Sequence, residues 1–339
     1  GELVAKISKG AQGQRYIEKS KWDGMQMNSI DNDFADFDRW LMDNDYKQHK
    51  AQNITINGNT ISPNGPKHRY NIWNIRINVS IGNFSNFMDV LMNSKIEIHG
   101  GGCLITEMQM VHNLFIAKLM GRELVENHDS VDLPIILLEM MIPNGFPLYR
   151  LECHEVFVKL VHGANALNIN TVTFDYEEAK SEGIFREFIS LNCASILMKI
   201  NCDSTVVNVQ FHHPCKMLMF EFIGYEIDEP ILESITLYLC GHPVEYHIDD
   251  GTIICSELNG KKVYCLSLTH EFRTEDDMIK FFCSKRPYEM LGINLSRIGG
   301  FTIKFGFDRE YSKLEVVISN IHSNILRFMS GLLGLKYSS

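Results

Sequence analysis

In "WNIRINVSI" every second residue is apolar: Trp73, Ile75, Ile77, Val79 and Ile81 fall on one side of an extended chain, Asn74, Arg76, Asn78 and Ser80 on the other. A helix would scatter those side chains around its circumference. Only a strand with one dry face and one wet face keeps them apart. "KIEIHGGG" alternates on Ile96 and Ile98 up to a glycine turn. The pattern returns in "EVFVKLV", "TVTFDY", "ASILMKI", "VVNVQF", "KMLMFEFIGY", "SITLYLCG", "KVYCLSL", "GFTIKFGF" and "KLEVVIS". Short strands at this spacing predict sandwiches of antiparallel sheets.

Helices are few and sit between strands. "TEMQMVHNLFIAKLMG" predicts one, with Thr106 as N-cap, Gln109 completing a capping box and Gly121 as the stop. "SIDNDFADFDRWLMDND" spaces Phe34, Phe37 and Leu41 helically among acids, and "TEDDMIKFFCSK" predicts a third helix. At 339 residues the chain exceeds one ordinary domain. The natural break falls near residues 163–169 and gives two halves, 1–165 and 166–339, each a run of strands.

A net charge of -10 with no polybasic run argues against direct nucleic-acid binding, which needs a basic footprint. The nine cysteines include no CxxC pair, and several lie in apolar runs. They are expected to be reduced, buried thiols in a reducing compartment. "GELVAKISKG" has no apolar signal core, and "LPIILLEMMIPNGFPL" is interrupted by Pro134, Glu139, Pro143 and Pro147. Neither predicts export or a membrane span, so the expectation is a soluble protein in which the sequons at Asn53, Asn78, Asn83 and Asn294 carry little weight.

Catalytic and metal chemistry find no footing. On a strand His212 and His213 point to opposite faces, as do Cys153 and His154 in "CHE", so neither pair converges. "HGGGC" lacks the accompanying G-x-S-x-G elbow of an esterase and reads as a hairpin turn. No P-loop and no GxGxxG is present. An enzyme, a cofactor and a metal are therefore not expected.

Seven segments, taken in order, resemble one family, the double jelly-roll major capsid proteins of nucleo-cytoplasmic large DNA viruses. "LVAKISKGAQGQRYI" is similar to the family's N-terminal arm, and "KIEIHGGGCLITEM" to its strand–Gly–Gly turn leading into a helix. "LPIILLEMMIPNGFPLYRLECHEVFVKL" resembles the proline-bounded strand, with the approach at Phe146, Pro147 and Leu148 and the next strand starting at His154, Glu155 and Val156. "HPCKMLMFEF", with His213 in place of an Asn, "ILESITLYLCGHPV" and "GINLSRIGGFTIKF", with Ser296, Arg297 and Ile298, follow in the second half. The ending "NILRFMSGLLGLKYSS" is the most specific match. Residues 19–66 match nothing in the family's first strands, and the chain is short for the family.

The resemblance implies an all-β fold of two consecutive eight-stranded antiparallel jelly rolls, with a few short helices in connecting loops. It implies a structural capsid subunit that forms pseudo-hexagonal homotrimers tiling an icosahedral shell. Its partners would be neighbouring capsomers and minor capsid proteins, near an internal viral membrane and off the genome. Its location would be the virion, after assembly in the host cytoplasm. The residues expected to matter are for packing and assembly: Leu3, Val4 and Ile7 of the arm, His154 and Glu155, Arg297, and in the tail Arg327, Phe328, Met329, Gly331 and Gly334. Arg327, flanked by Leu326 and Phe328, is expected to pair with a carboxylate, and the tail to close the second roll. Two rivals remain: a double jelly-roll scaffold or minor capsid protein, and a carbohydrate-binding or hydrolytic β-sandwich. The last requires aromatic residues or carboxylates gathered on one face, which no linear cluster supplies.

Overall fold

The computed structural model describes residues 3–8, 14–18, 52–61, 70–82, 86–142, 145–178, 187–269, 274–283, 292–298 and 301–337. The first twelve strands are β1 Leu3–Ser8, β2 Gln14–Glu18, β3 Gln52–Asn57, β4 Tyr70–Ser80, β5 Lys95–Gly100, β6 Cys103–Gln109, β7 Val125–Glu126, β8 Ser130–Ile135, β9 Phe146–Pro147, β10 Val156–His162, β11 Asn165–Leu167 and β12 Ile169–Glu178. The remainder are β13 Glu187–Lys199, β14 Val206–Val209, β15 Pro214–Ile223, β16 Leu232–Leu239, β17 His242–His247, β18 Ile253–Leu258, β19 Lys261–Ser267, β20 Ile293–Asn294, β21 Phe301–Phe307, β22 Glu315–Met329 and β23 Leu332–Leu335. Among the described residues four short α-helices intervene: α1 Phe87–Met92, α2 Met110–Leu119, α3 Leu137–Met141 and α4 Glu275–Cys283.

Two sandwiches share one plan. In the second, β13-β22-β15-β19-β18 faces β14-β21-β16-β17 across a core of its own. In the first, β3-β12-β4-β8-β7 faces β11-β10-β5-β6. A short segment, Asn59–Ile61, adds to β10: Ile61 N–H donates to the Val156 carbonyl and Val158 N–H to the Asn59 carbonyl. Counting eight principal strands in each half, both sandwiches order them 1-8-3-6 in one sheet and 2-7-4-5 in the other, the Greek-key order of a jelly roll. The additions match as well. The third strand of each roll takes a two-residue partner, β9 on β4 and β20 on β15, and each partner runs into a 3-10 turn, Leu148–Arg150 and Leu295–Arg297.

The structure moves the boundary between halves. β12 pairs with β3 and β4, so the first roll extends to Glu178 and not to 165. The sequence break near 163–169 is instead the β10–β11 hairpin, turning at Gly163.

Trp73 does not share the face of Ile75 and Ile77. Asn74 and Ile75 together oppose the single residue Phe174, a β-bulge at which Asn74 adopts a φ of 50°. The extra residue reverses the alternation, so Ile72, Ile75, Ile77 and Val79 are buried while Trp73 turns outward beside Arg76.

Three further expectations change. Thr106 lies within β6 and caps nothing; α2 begins at Met110, although Gly121 (φ 74°) does follow its end. The run "LPIILLEMM" is strand then helix, since β8 stops at Ile135 and α3 follows. Of the described cysteines, Cys193, Cys215 and Cys265 are buried, but Cys103, Cys153, Cys240 and Cys255 are exposed, all as free thiols. Thr274 caps α4 as a capping box with Asp277, each side chain accepting from the other residue's N–H. The helix expected over "SIDNDFADFDRWLMDND" lies outside the described residues. No helix among the described residues is long and apolar enough to cross a membrane.

Candidate assembly site: the carboxy-terminal hairpin and the seam between the rolls

The tail is a β-hairpin. β22 pairs with β23 around Ser330 and Gly331, both at positive φ (52° and 78°), the geometry of a type I′ turn. Its buried side chains do not close the second roll's own core. Leu326, Phe328 and Leu333 belong to the cluster built on the first roll. Phe328 sets its ring against Phe146 of the first roll at 5.6 Å and edge-on to Phe188 at 5.5 Å. The Gly331 carbonyl accepts from Cys153 N–H, 2.9 Å. Leu333 N–H donates to His154 Nδ1, 3.0 Å, so that nitrogen is the unprotonated one in the neutral ring. The Leu333 side chain covers Gly100 of β5, where a Cβ would stand 2.6 Å from its Cδ2. The expectation for the tail is therefore corrected: its hairpin clamps the second roll onto the first.

The other expected residues sort around this clamp. His154 also packs on Gly101, and the Glu155 carbonyl accepts from Gly101 N–H while its side chain is exposed. Arg327 Nε donates to Glu187 Oε1 at 2.8 Å, and Lys336 Nζ to Oε2 of the same carboxylate at 3.0 Å. These groups are all partly exposed, so the network contributes about 1 kcal/mol or less. Met329 is 48 % exposed. Gly331 is sterically required, since a Cβ would lie 2.8 Å from Glu152 Cβ; Gly334 is not, because nothing stands within 4 Å. Arg297, itself exposed, ends a 3-10 turn whose Leu295 is buried, away from the clamp in sequence. β1 and β2 pair as a hairpin, but the side chains of Leu3, Val4 and Ile7 lie outside the described residues.

Above the clamp the two rolls meet across a broad seam. α2 packs on β18 and β19, and α3 and β6 pack on β13. β15 and β19 are consequently buried on both faces: Met217, Met219, Val263 and Cys265 join the first roll's cluster, while Leu218, Phe220, Tyr264 and Leu266 fill the second roll. Polar groups cross this apolar seam in matched pairs. Thr106 Oγ1 donates to the Cys193 carbonyl (3.2 Å) and accepts from Cys193 N–H (3.0 Å). Asn192 Nδ2 donates to the Ile105 carbonyl, 3.1 Å. His112 Nδ1 meets Ser319 Oγ at 2.5 Å, and Ser319 meets Ser195 Oγ at 2.9 Å. Lys261 Nζ bridges Asn93 of the first roll and Glu221 of the second. Each bond is lost if the rolls slide by one residue, so the network fixes one docking register.

Burial sets the charge state of these groups. It holds His112 near pKa 3, neutral at any physiological pH. His322 is lowered likewise to about 3 by burial, with repulsion from His213, whose ring stacks on it at 4.7 Å, adding to the effect. Glu221 moves the other way, raised to about 7 by burial despite the opposing pull of Lys261. Sequence reasoning assigned none of these residues to a seam: Thr106 was expected as a helix cap, and His213 as a substitute for an Asn. The available signal was "SNIHSN" (Ser319–Asn324), a mostly polar run set between the apolar stretches Val316, Val317, Ile318 and Ile325, Leu326 of one strand.

Among the described residues no group of three His, Cys, Asp or Glu side chains is placed to hold a metal. What the arrangement provides is a rigid pair of rolls.

That pair is a double jelly roll, the fold of viral major capsid proteins. The chain superposes on the PBCV-1 virus capsid with a TM-score of 0.57 at 14 % identity, covering 87 % of this chain and 98 % of that one. PBCV-1 VP54, as fitted into the virophage Sputnik, gives 0.56 at 15 % identity with the same coverage of each chain. The Faustovirus major capsid protein gives 0.50 at 6 % identity, covering 84 % of this chain and 92 % of that one. No family model and no curated protein sequence matches the chain.

Proposed function

We propose that the chain is a structural, non-catalytic subunit of a viral capsid. Three copies close into a homotrimer with a pseudo-hexagonal outline, and these capsomers tile the icosahedral shell of a large DNA virus. The observation that carries this reading is the repetition of one strand order in two rolls locked by a continuous core. Two alike rolls per chain give a three-fold ring six alike edges, and a ring that closes leaves only its rim for further contacts. The likeness to capsid proteins along almost their whole length supports it.

Neighbouring capsomers and minor capsid proteins are the partners on this reading. The virion is the location, following assembly in the host cytoplasm beside an internal membrane. The charge of -10 fits a shell that does not touch the genome. The rolls correspond to residues up to 178 and from 187 onward, and the hairpin carrying Leu3, Val4 and Ile7 is assigned to contact beneath the first roll or with a neighbour. Light scattering and negative-stain imaging of the purified protein test this: three chain masses and a hexagonal outline are expected, and a monomer would sink it. High copy number in mature particles separates a shell subunit from a scaffold that is discarded.

A further inference from the structure

The bulge at Asn74 does more than displace one side chain. On the outward face of β4, β8 and β12 lies an open depression of about 700 Å³, lined by Trp73, Asn74, Arg76, Arg122, Asp132 and Asp175, with Val125 at its edge. These residues come from three stretches remote from one another in sequence, around 73–76, 122–132 and 175, so the cluster is invisible in the linear chain. The bulge sets Trp73 directly opposite Asp175.

The polar lining is held in place from behind. Asn74 N–H donates to Glu139 Oε1 at 2.6 Å, and Arg122 grips both oxygens of Glu139, which is 6 % exposed. Asp175 accepts from Asn53 Nδ2 on one oxygen and from Asn74 Nδ2 on the other. Asp132 accepts from Asn78 Nδ2 and Asn127 Nδ2 in the same divided way. Arg76 donates to the Glu123 carbonyl at 3.0 Å. Each carboxylate oxygen keeps a second lone pair, and the guanidinium of Arg76 keeps further N–H donors. Orienting bonds of this kind lower the ordering cost of binding.

The chemistry of the lining selects the ligand. Arg76 and Arg122 are outnumbered in the lining by Glu123, Asp132 and Asp175, and Arg122 is already paired with Glu139 behind it, which disfavours phosphates, sulfates and nucleic acid. The described residues supply no metal-binding group of three. An apolar ligand would strand the carboxylates without partners. A neutral ring with hydroxyls along its edge and a C–H face meets every group present. The face stacks on the indole, and the hydroxyls donate to carboxylates and accept from the guanidinium.

We propose that this depression binds a neutral saccharide, with Trp73 as the stacking platform and Asp132, Asp175 and Arg76 as hydroxyl partners. The proposal does not depend on the capsid reading, because a monomer would carry the same depression.

The test is binding of the full-length protein to immobilised neutral oligosaccharides ending in mannose, galactose or N-acetylglucosamine, beside sialylated and sulfated ones. Saturation-transfer NMR on any neutral hit provides the second measurement. Trp73→Ala is expected to weaken binding at least tenfold, Asp175→Asn several-fold, and Trp73→Phe to retain part of it. Val125→Trp narrows the depression from its exposed edge without touching the core, so it serves if Trp73→Ala fails to fold; it too should weaken binding at least tenfold. The proposal is overturned by no binding to neutral saccharides, by binding confined to anionic ones, or by neutral binding that survives both Trp73→Ala and Val125→Trp.

Discussion

The third strands of the two rolls, β4 and β15, occupy one topological position and live in opposite surroundings. From its bulge onward β4 alternates, with Ile75, Ile77 and Val79 inward and Arg76, Asn78 and Ser80 outward. β15 is buried from Pro214 through Phe222, because the first roll covers its second face. One strand order thus serves two purposes: a sheet with a wet face that carries the depression around Trp73, and a sheet sealed inside the molecule. The difference is written in the side chains, as alternation against a run that is apolar apart from the buried Lys216 and Glu221.

Charge placed on the two sheets should break the symmetry most visibly. Met219→Lys puts an unpaired ammonium into the seam and is expected to prevent folding, at a cost of several kcal/mol, read as loss of soluble protein. Thr171→Lys on the outward face of β12 should change stability by about 1 kcal/mol or less in a denaturant melt. Deleting residues 324–339 removes Leu326, Phe328 and Leu333 together and should leave no folded chain, whereas deletion from Gly331 should leave the strands of the second roll but loosen its hold on the first. Limited proteolysis distinguishes the two.

Within the clamp, Phe328→Ala should cost about 3–5 kcal/mol and Met329→Ala close to nothing, by denaturant midpoint. Arg122→Met abandons a buried carboxylate and is expected to cost about 3–5 kcal/mol, unless Glu139→Gln accompanies it.

The seam also predicts a pH profile with two slopes. His112 and His322 stay neutral when folded but bind protons when unfolded below about 6.5, so their contribution to stability falls as pH drops from about 6.5 toward about 3. Glu221 acts oppositely: the folded state holds its proton up to about 7, so its contribution falls as pH rises from about 4.5 to about 7. His322→Gln should flatten the acid limb and Glu221→Gln the neutral one, in melts across that range. The smallest contrast lies in the tail turn. Gly331→Ala should cost about 1–3 kcal/mol through its positive φ and the contact with Glu152, and Gly334→Ala less than about 1 kcal/mol.

Much of the architecture was legible because a strand announces itself locally. Every alternating segment named from the sequence forms or contributes to a strand, and the turn after "KIEIHGGG" falls at Gly101 and Gly102. What escaped depends on residues that meet only in space. A bulge has no period of its own, so Trp73 read as core. Thr106 had the chemistry of a cap and spends its hydroxyl on Cys193, 87 positions away. The tail was recognised as buried, but an apolar residue does not say which neighbour it faces. Even the repeat was hidden: Arg150 and Arg297 end equivalent turns, yet "LYR" and "LSR" share two letters in surroundings that have diverged.

Because the first roll's core runs on without interruption into the outer face of the second roll's sheet, a load applied across the chain meets packed side chains and not a hinge. The two rolls deform together as one stiff plate, and bending in anything built from such plates is left to the contacts between them.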